Sequence, residues 1–381
     1  MTTHNVPFNK PVDLPESVSA VQAALSAGHL SGNGPYTKKC EKVLEQRLER
    51  KTRIVTSATH ALETMGLLTE LKPGDEVILP SFTFVSTANA FALRGATLRF
   101  ADNDEFGNIK PTEIERLLSK KTKAVVAVHY AGASADLDAI LELCAKHGVP
   151  LFEDAAQAIG AKYKQRPLGT IGALGCFSFH DTKNIGCGEG GALICGDEFY
   201  AERAEIIREK GTNRSQFLRG LVDKYTWVDI GSSYVLSDLN AALLLPQLER
   251  LDAIHAKRKS IWEHYKKELT APLAKRDTHI LETPSHNTPN FHMLAVVFAD
   301  SEMRDSYIAF MREQGVSCPF HYVALHTSPF GQTFSNEKPE QLPGCDRLSQ
   351  RLARLPLYYN MTEKDQAYVI EKTLAWLNHR S

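Results

Sequence analysis

The sequence predicts an α/β fold, in which a mostly parallel seven-stranded sheet flanked by helices is followed by a smaller α+β domain. Between residues 52 and 200, short apolar runs alternate with amphipathic stretches, and such alternation is typical of a parallel sheet covered by helices. The length of 381 residues leaves room for more than one domain. We place the boundary near residue 250, between a large domain (1–250) and a small domain (251–381), and expect the first 30 or so residues to pack near the small domain.

The apolar runs predict strands at residues 53–55, 76–79, 97–100, 124–128, 149–152, 176–179 and 192–194. Helical spacing of apolar residues predicts helices at 60–71, 84–93 and 137–147, the last of which can end on Gly148. A longer helical pattern covers 237–269. Pro246 should kink or split this helix, because proline lacks a backbone donor. A strand at 293–298 and helices at 305–314 and 363–378 follow.

Composition and charge exclude several classes of protein. Lys and Arg total 44 against 45 Asp and Glu, so the formal net charge of −1 provides no general field to attract nucleic acid or anionic membrane. The seven cysteines form no Cys-x-x-Cys pair, which favours reduced thiols over disulfides or a metal site. The sequence has no signal-peptide pattern at its start and no apolar run of the roughly 20 residues that a membrane helix needs. We therefore expect a cytoplasmic enzyme without a metal.

Three polar residues follow predicted strands, where ligands collect in open α/β sheets. Asp154 and Gln157 come after the strand at 149–152, and Lys183 comes after the next strand. Pyridoxal 5'-phosphate (PLP) needs a lysine for its Schiff base and an acid that keeps the pyridine nitrogen protonated. A surface lysine and a helix-capping aspartate would explain each residue taken singly, but the combination predicts a PLP site.

A phosphate group needs backbone donors at a helix N-terminus. Residues 56–59 (TSAT) lie between a strand and a helix, although ordinary capping explains them equally well. Ser178, close to the lysine, is a second candidate. The glycine-rich segment 186–191 (GCGEGG) matches the spacing of a dinucleotide fingerprint, but a strand follows it rather than a helix. We therefore reject nicotinamide binding.

Three segments together resemble the nucleotide-sugar aminotransferases of the DegT/DnrJ group, which are fold-type I PLP enzymes. They are residues 178–184 (SFHDTKN) around the lysine, 153–157 (EDAAQ) around the acid, and 80–87 (PSFTFVST). The resemblance extends from residue 7 to residue 360.

Within that group, the closest resemblance is to the dTDP-4-amino-4,6-dideoxygalactose transaminases, which act in the biosynthesis of enterobacterial common antigen and related lipopolysaccharide or O-antigen chains. Segments 208–217 (REKGTNRSQF), 223–227 (DKYTW), 229–234 (DIGSSY) and 320–326 (FHYVALH) carry this likeness.

The resemblance implies a role for each matching residue. Lys183 would form the Schiff base and move protons, Asp154 would pair with the ring nitrogen, and Gln157 would bind the phenolic oxygen. Further cofactor contacts are implied for Ala58, Thr59 and Ser178 at the phosphate, Phe84 against the ring, and Ser233 from the partner subunit of a homodimer. Contacts with the nucleotide sugar are implied for Lys210, Arg214, Arg219, Lys224 and His326.

Simpler interpretations exist for several of these residues. From the sequence alone, burial in a helix core is the better explanation of Phe84. A helix cap explains Ser233, and a structural loop histidine explains His326 about as well as substrate contact does. For each of the four basic residues, a solvated surface charge is the favoured explanation.

The implied reaction is amino transfer from L-glutamate to a 4-keto-6-deoxy nucleotide sugar, with pyridoxamine phosphate formed between the two halves. A 3-keto-sugar aminotransferase and a non-catalytic regulatory binder of the same fold are the alternatives. The related sugar 3-dehydratases carry histidine in place of the lysine, so Lys183 argues against that activity.

Overall fold

The structure, a computed structural model, describes residues 4–334 and 342–379. Its strands are β1 (Lys51–Val55), β2 (Glu76–Pro80), β3 (Thr97–Ala101), β4 (Thr122–Val128), β5 (Leu151–Asp154), β6 (Lys162–Tyr163), β7 (Arg166–Pro167), β8 (Leu174–Ser178), β9 (Gly191–Cys195), β10 (His279–Ile280), β11 (Asn287–Thr288), β12 (Leu294–Val297) and β13 (Leu352–Leu355). Its α-helices are α1 (Pro15–Ala27), α2 (Pro35–Leu48), α3 (Ala58–Leu68), α4 (Val85–Ala92), α5 (Pro111–Leu117), α6 (Leu137–His147), α7 (Glu198–Arg208), α8 (Arg214–Leu218), α9 (Asp238–Glu249), α10 (Leu251–Ala274), α11 (Ser301–Glu313), α12 (Pro343–Arg351) and α13 (Glu363–His379).

The main sheet has seven strands in the order β1-β9-β8-β5-β4-β2-β3. Strand β9 runs antiparallel to both of its neighbours, and the pairs from β8 to β3 are all parallel. This confirms the predicted α/β fold with a mostly parallel seven-stranded sheet. The carboxyl ends of β4, β5 and β8 therefore meet at one edge of the sheet.

Helices cover both faces of this sheet, and strand β4 shows why its sequence is almost wholly apolar. Val126 belongs to one buried cluster and Val125 to another, because alternate side chains of a strand point to opposite faces. A parallel sheet with two covered faces favours continuous runs of apolar, β-branched residues over alternation.

Helix boundaries follow local capping chemistry. Ser57 accepts a hydrogen bond from the backbone N–H of His60, so α3 begins two residues before its predicted start. Helix α6 has its predicted bounds, and Gly148 follows it in the left-handed region at φ 62°. The predicted helix at 84–93 begins only at Val85, since Phe84 is its extended N-cap residue.

The long helical pattern is split, as predicted, but the break falls at Arg250 rather than at Pro246. Proline removes only its own donor, while its carbonyl still accepts, here from the backbone N–H of Arg250. Helix α9 therefore continues past the proline and ends one turn later.

The C-terminal part contains a three-stranded sheet in the order β10-β12-β13 and a third buried cluster that includes residues of α10, α11 and α13. Val6 pairs with Val316 of this part. Helix α1 instead lies on α9, where the Ser17 hydroxyl donates to the carbonyl of Leu243. The division into two domains near residue 250 stays a prediction.

In the described part of the chain, every helix is too short or too polar to cross a membrane.

Candidate active site

A cavity of about 590 Å³ opens at the carboxyl edge of the main sheet. Val128, Asp154 and Ser178, which end β4, β5 and β8, line one side of it. His321 and Arg354 of the C-terminal part line it as well. The position agrees with the rule that ligands bind beyond the carboxyl ends of parallel strands.

Lys183 lines this cavity together with Asp154, although 29 positions separate them in the sequence. The Lys183 backbone N–H donates to the carbonyl of His180, which closes the turn after β8. The pKa of Lys183 is lowered to about 8, mainly by burial; the charge of Asp154 opposes this shift, and the charge of Arg354 contributes to it. At pH 8 about half of the amine is therefore neutral and able to attack a carbonyl.

Asp154 ends β5 and is only 6% exposed. Its Oδ2 accepts a hydrogen bond of 2.7 Å from the hydroxyl of Thr87, and its Oδ1 accepts one of 3.2 Å from the backbone N–H of Ala156. The Thr87 hydroxyl lies 2.8 Å from that of Thr83. These contacts fix the carboxylate and leave acceptor capacity for a further donor, as the protonated nitrogen of a pyridine ring would be.

Gln157 is held at both ends of its amide group. Its Oε1 accepts from the backbone N–H of Ala131 at 2.8 Å, and its Nε2 donates to the Tyr322 hydroxyl at 2.7 Å. An amide nitrogen carries two N–H donors, so the second is available for a ligand oxygen such as the phenolic oxygen of PLP.

The N-terminus of α3 faces the same cavity through Ser57, Ala58 and Thr59. The Thr59 hydroxyl lies 2.8 Å from that of Ser86. Gly191 in β9 passes directly beneath: a Cβ there would come within 2.4 Å of the Ala58 backbone nitrogen. This close approach brings the helix N-terminus near Ser178, the strand partner of Gly191, and the resulting set of donors suits a phosphate.

Phe84 corrects one of the interpretations from the sequence. Its side chain is 55% exposed and lines the cavity, so it does not belong to a helix core. Its ring centre lies 6.1 Å from that of Tyr322, which leaves both aromatic rings at the cavity.

Several predicted residues lie elsewhere. His326 is buried outside the cavity lining, with its Nδ1 2.7 Å from the Ser81 hydroxyl, as expected of a structural histidine. Arg219 pairs with Glu205 at 2.8 Å. Lys210, Arg214, Lys224 and Ser233 are exposed and also outside the lining of their own chain's cavity.

Other cavity residues were not assigned a role from the sequence. Thr87 is one of them, although it stands in the segment 80–87 that carried the resemblance. His321 and Tyr322 lie in the segment 320–326, which gave no indication that their rings would stack at 3.6 Å. Arg354 had no signal at all, because nothing in the local sequence of β13 relates it to Lys183.

Comparison with known proteins agrees with this geometry. The model of the DegT/DnrJ/EryC1/StrS aminotransferase family matches residues 13–374. The chain therefore belongs to this family and is a PLP-dependent aminotransferase.

Solved structures of aminotransferases are similar over nearly the whole chain. The aminotransferase TlmJ from Streptoalloteichus hindustanus is 30% identical, with a TM-score of 0.90 over 99% of this chain and 100% of that one. A family member from Brucella abortus is 28% identical, with a TM-score of 0.84 over 95% of each chain. The PLP form of the putative sugar aminotransferase Spr1654 from Streptococcus pneumoniae is 24% identical, with a TM-score of 0.90 over 99% of each, and shows the shared fold.

Proposed function

We propose that this aminotransferase moves the amino group of L-glutamate to dTDP-4-dehydro-6-deoxy-D-glucose, giving dTDP-4-amino-4,6-dideoxy-D-galactose and 2-oxoglutarate. The observation that carries the proposal is the convergence of Lys183, Asp154 and Gln157 on one cavity. The choice of sugar rests on segments 208–217, 223–227, 229–234 and 320–326, which resemble the transaminases that make this product. Such a product would serve the synthesis of surface polysaccharide from the cytoplasm.

Each residue of the site has a defined task in this proposal. Bound PLP supplies an electron sink for the carbon that loses or gains a proton. Asp154 keeps the ring nitrogen protonated through a charge-assisted hydrogen bond. The Lys183 amine, neutral in part because burial lowers its pKa, would take the proton from the donor's α carbon and pass it to the bound cofactor within the same half-reaction. In the second half it would move a proton the opposite way, from the cofactor to the sugar carbon that receives the amine.

Other residues orient the ring. Gln157 would donate to the phenolic oxygen, and Phe84 would cover one face of the ring. The N-terminus of α3, with Ala58, Thr59 and Ser178, would hold the phosphate. These roles are consistent with the position of all five residues around the cavity.

We also propose a homodimer in which Ser233 reaches the partner's cavity. Ser233 is exposed and does not line the cavity of its own chain, which supports a contact across an interface. Neighbouring apolar side chains are exposed as well: Phe217, Leu218, Leu221, Tyr225, Trp227, Val228 and Ile230. An apolar patch of this kind is typical of a surface that another protein covers.

The nucleotide diphosphate would meet Lys210, Arg214 and Lys224 on the same segment of the chain. These side chains are exposed, and the net charge of −1 means that an anionic substrate depends on such a local group of cations. Arg219 is the weakest member of the set, since Glu205 already pairs with it.

The decisive experiment incubates the holoenzyme with dTDP-4-dehydro-6-deoxy-D-glucose and L-glutamate and determines the product by NMR. We expect an axial amine at C4, as in the galacto configuration, with one 2-oxoglutarate per turnover. Lys183→Ala should abolish turnover and the absorbance of the lysine-bound cofactor, whereas Lys121→Ala, at an exposed site, should change neither. If the enzyme transferred the amino group only to a 3-keto sugar, the proposed 4-keto substrate would be wrong and the 3-keto-sugar aminotransferase would be the correct assignment. Absence of transfer to any keto sugar would refute the proposal.

A further inference from the structure

Arg354 belongs to β13 and lines the cavity. The described residues leave part of the hydrogen-bonding capacity of its guanidinium group unused. Its Nη2 donates to the carbonyl of Phe320 at 3.0 Å. Its Nε is buried and makes no hydrogen bond to any described residue. The guanidinium carbon lies over the Phe8 ring, 4.4 Å from its centre, within the range of a cation–π contact.

No aspartate or glutamate of the described residues forms an ion pair with Arg354. Two acidic residues line the cavity, but Asp154 binds Thr87 and Glu189 lies 3.7 Å from His180. Burial lowers the pKa of Arg354, which reports that the environment disfavours its charge. A partly buried cation without a carboxylate is unfavourable, and an anionic ligand would stabilise it.

The position of Arg354 limits which anion this can be. A phosphate on the cofactor has its donors at the N-terminus of α3, as described above. Arg354 lines the same cavity as Lys183, and its charge contributes to the lowered pKa of the reacting amine. In a 4-keto sugar the diphosphate is attached across the ring from the reacting carbon, whereas in an amino acid a carboxylate is bonded directly to that carbon.

We propose that Arg354 binds a carboxylate of the amino-acid donor, and the corresponding carboxylate of the keto acid that leaves. This inference rests on the proposed function, because it assumes that the donor is an amino acid. The guanidinium presents parallel N–H donors that match the two oxygens of a carboxylate. Nε, together with an Nη group, offers such a pair.

The N-terminal segment completes this subsite. Val6 pairs with Val316, Phe8 covers the guanidinium, and Asn9 donates to the carbonyl of Asp181 at 2.7 Å. Residues 6–9 thus connect the C-terminal part to the turn that carries the reacting lysine. The carboxylate site is therefore held in a fixed relation to Lys183.

The test compares Arg354→Gln with wild type and with Arg312→Gln, a control on an exposed arginine of α11. Glutarate, a dicarboxylate without an amine, serves as the probe and is titrated calorimetrically into the PLP-loaded proteins. We expect Arg354→Gln to bind glutarate about 10- to 100-fold more weakly, as loss of charge-assisted hydrogen bonds predicts, and Arg312→Gln to bind as wild type does. The affinity of Arg354→Lys for glutarate should lie between those of wild type and Arg354→Gln, because lysine keeps the positive charge but lacks the pair of parallel N–H donors. Unchanged glutarate binding in Arg354→Gln would overturn the proposal.

Single-turnover kinetics separate the donor from the sugar. With L-glutamate, Arg354→Gln should need a correspondingly higher donor concentration for half-maximal conversion of the cofactor. The pyridoxamine form of the same variant should react with the keto sugar within about twofold of the wild-type rate. An equal loss in both halves would assign Arg354 to the nucleotide diphosphate or to cofactor placement and would contradict a donor site.

Donor amides provide the sharpest readout. Wild type should discriminate against at least one of L-glutamine and L-isoglutamine, in which one carboxylate is neutral, and Arg354→Gln should lose that discrimination. Retention of full discrimination by the variant would refute the contact. These results can be distinguished from a failure of the proposed function. If wild type failed to react with every keto sugar, only the proposed sugar substrate would be refuted, because glutarate binding and the half-reaction with L-glutamate are measured without sugar.

Discussion

At the scale of single residues, the environment gives ordinary side chains their chemistry. Lys183 is one of many lysines in the sequence, but burial lowers its pKa to about 8. Asp154 opposes that shift and Arg354 adds to it. The reactivity of the amine is therefore set first by its burial and then by charges from two distant parts of the chain.

The lowered pKa predicts how Lys183 reacts in the cofactor-free protein. The neutral amine is the nucleophile, so labelling by an amine-selective acylating reagent should rise with pH around a midpoint near 8. Asp154→Asn should lower the midpoint, because the aspartate charge raises this pKa. Peptide mass spectrometry measures the labelling, with exposed Lys121 in the same sample correcting for reagent loss. A midpoint above 10 would show that Lys183 is not desolvated.

At the scale of elements, the start of α3 combines a stabilising cap with a ligand site. The Ser57 hydroxyl satisfies the backbone N–H of His60, while Ser57, Ala58 and Thr59 line the cavity. Gly191 allows β9 to pass within contact distance of the same turn. The two functions of the helix start can be separated by comparison with a helix that has only the cap.

Ser57→Ala and Asp300→Ala form such a matched pair. Asp300 caps α11 by accepting from the backbone N–H of Met303 at 2.7 Å, outside the cavity lining. Each substitution should lower the free energy of unfolding of the cofactor-free protein by about 0.5–2 kcal/mol, measured by urea denaturation.

Only Ser57→Ala should also weaken PLP binding, by at least about fivefold, because it alone disturbs donors of the proposed phosphate site. Spectroscopic titration of the cofactor measures this difference. Equal PLP affinities in the two variants would show that the start of α3 does not hold the phosphate.

At the scale of the whole molecule, the exposed apolar side chains between residues 217 and 230 are the most distinctive surface. Trp227 is 79% exposed, on a segment that leads directly to Ser233. Seven apolar side chains exposed on so short a segment are difficult to reconcile with a monomer. In the proposed dimer, burial of this surface would also complete the cofactor site.

Trp227→Glu should therefore lower the mass measured by light scattering from that of a dimer toward that of a monomer, since burying an unpaired charge is unfavourable. The variant should also retain less PLP after gel filtration, because Ser233 would no longer reach the partner's site. Phe199→Glu is the control: Phe199 is 67% exposed but lines a different surface pocket, together with Thr122 and Pro150 at the amino ends of β4 and β5. A monomeric wild type, or an unchanged mass in Trp227→Glu, would contradict the proposed interface.

The sequence by itself determined the fold class and the strands of the main sheet, and it placed Asp154 and Lys183 after two of those strands. Continuous apolar runs marked β4 and β5, and Asp154 and Lys183 follow strands whose carboxyl ends meet at one edge. These features are local, because hydrophobic periodicity and capping residues act over a few neighbouring positions. For the same reason α6 and its Gly148 cap were predictable to the residue.

The tertiary structure decided which distant residues join that pair. Thr87 beside Asp154, Tyr322 beside Gln157 and Arg354 in the wall of the cavity depend on the packing of the C-terminal part and α4 against the sheet. It likewise decided that Phe84 is exposed and that His326 is buried on Ser81. Periodicity tells which face of an element is apolar but not what that face meets, so contacts between elements far apart in the chain require the three-dimensional fold.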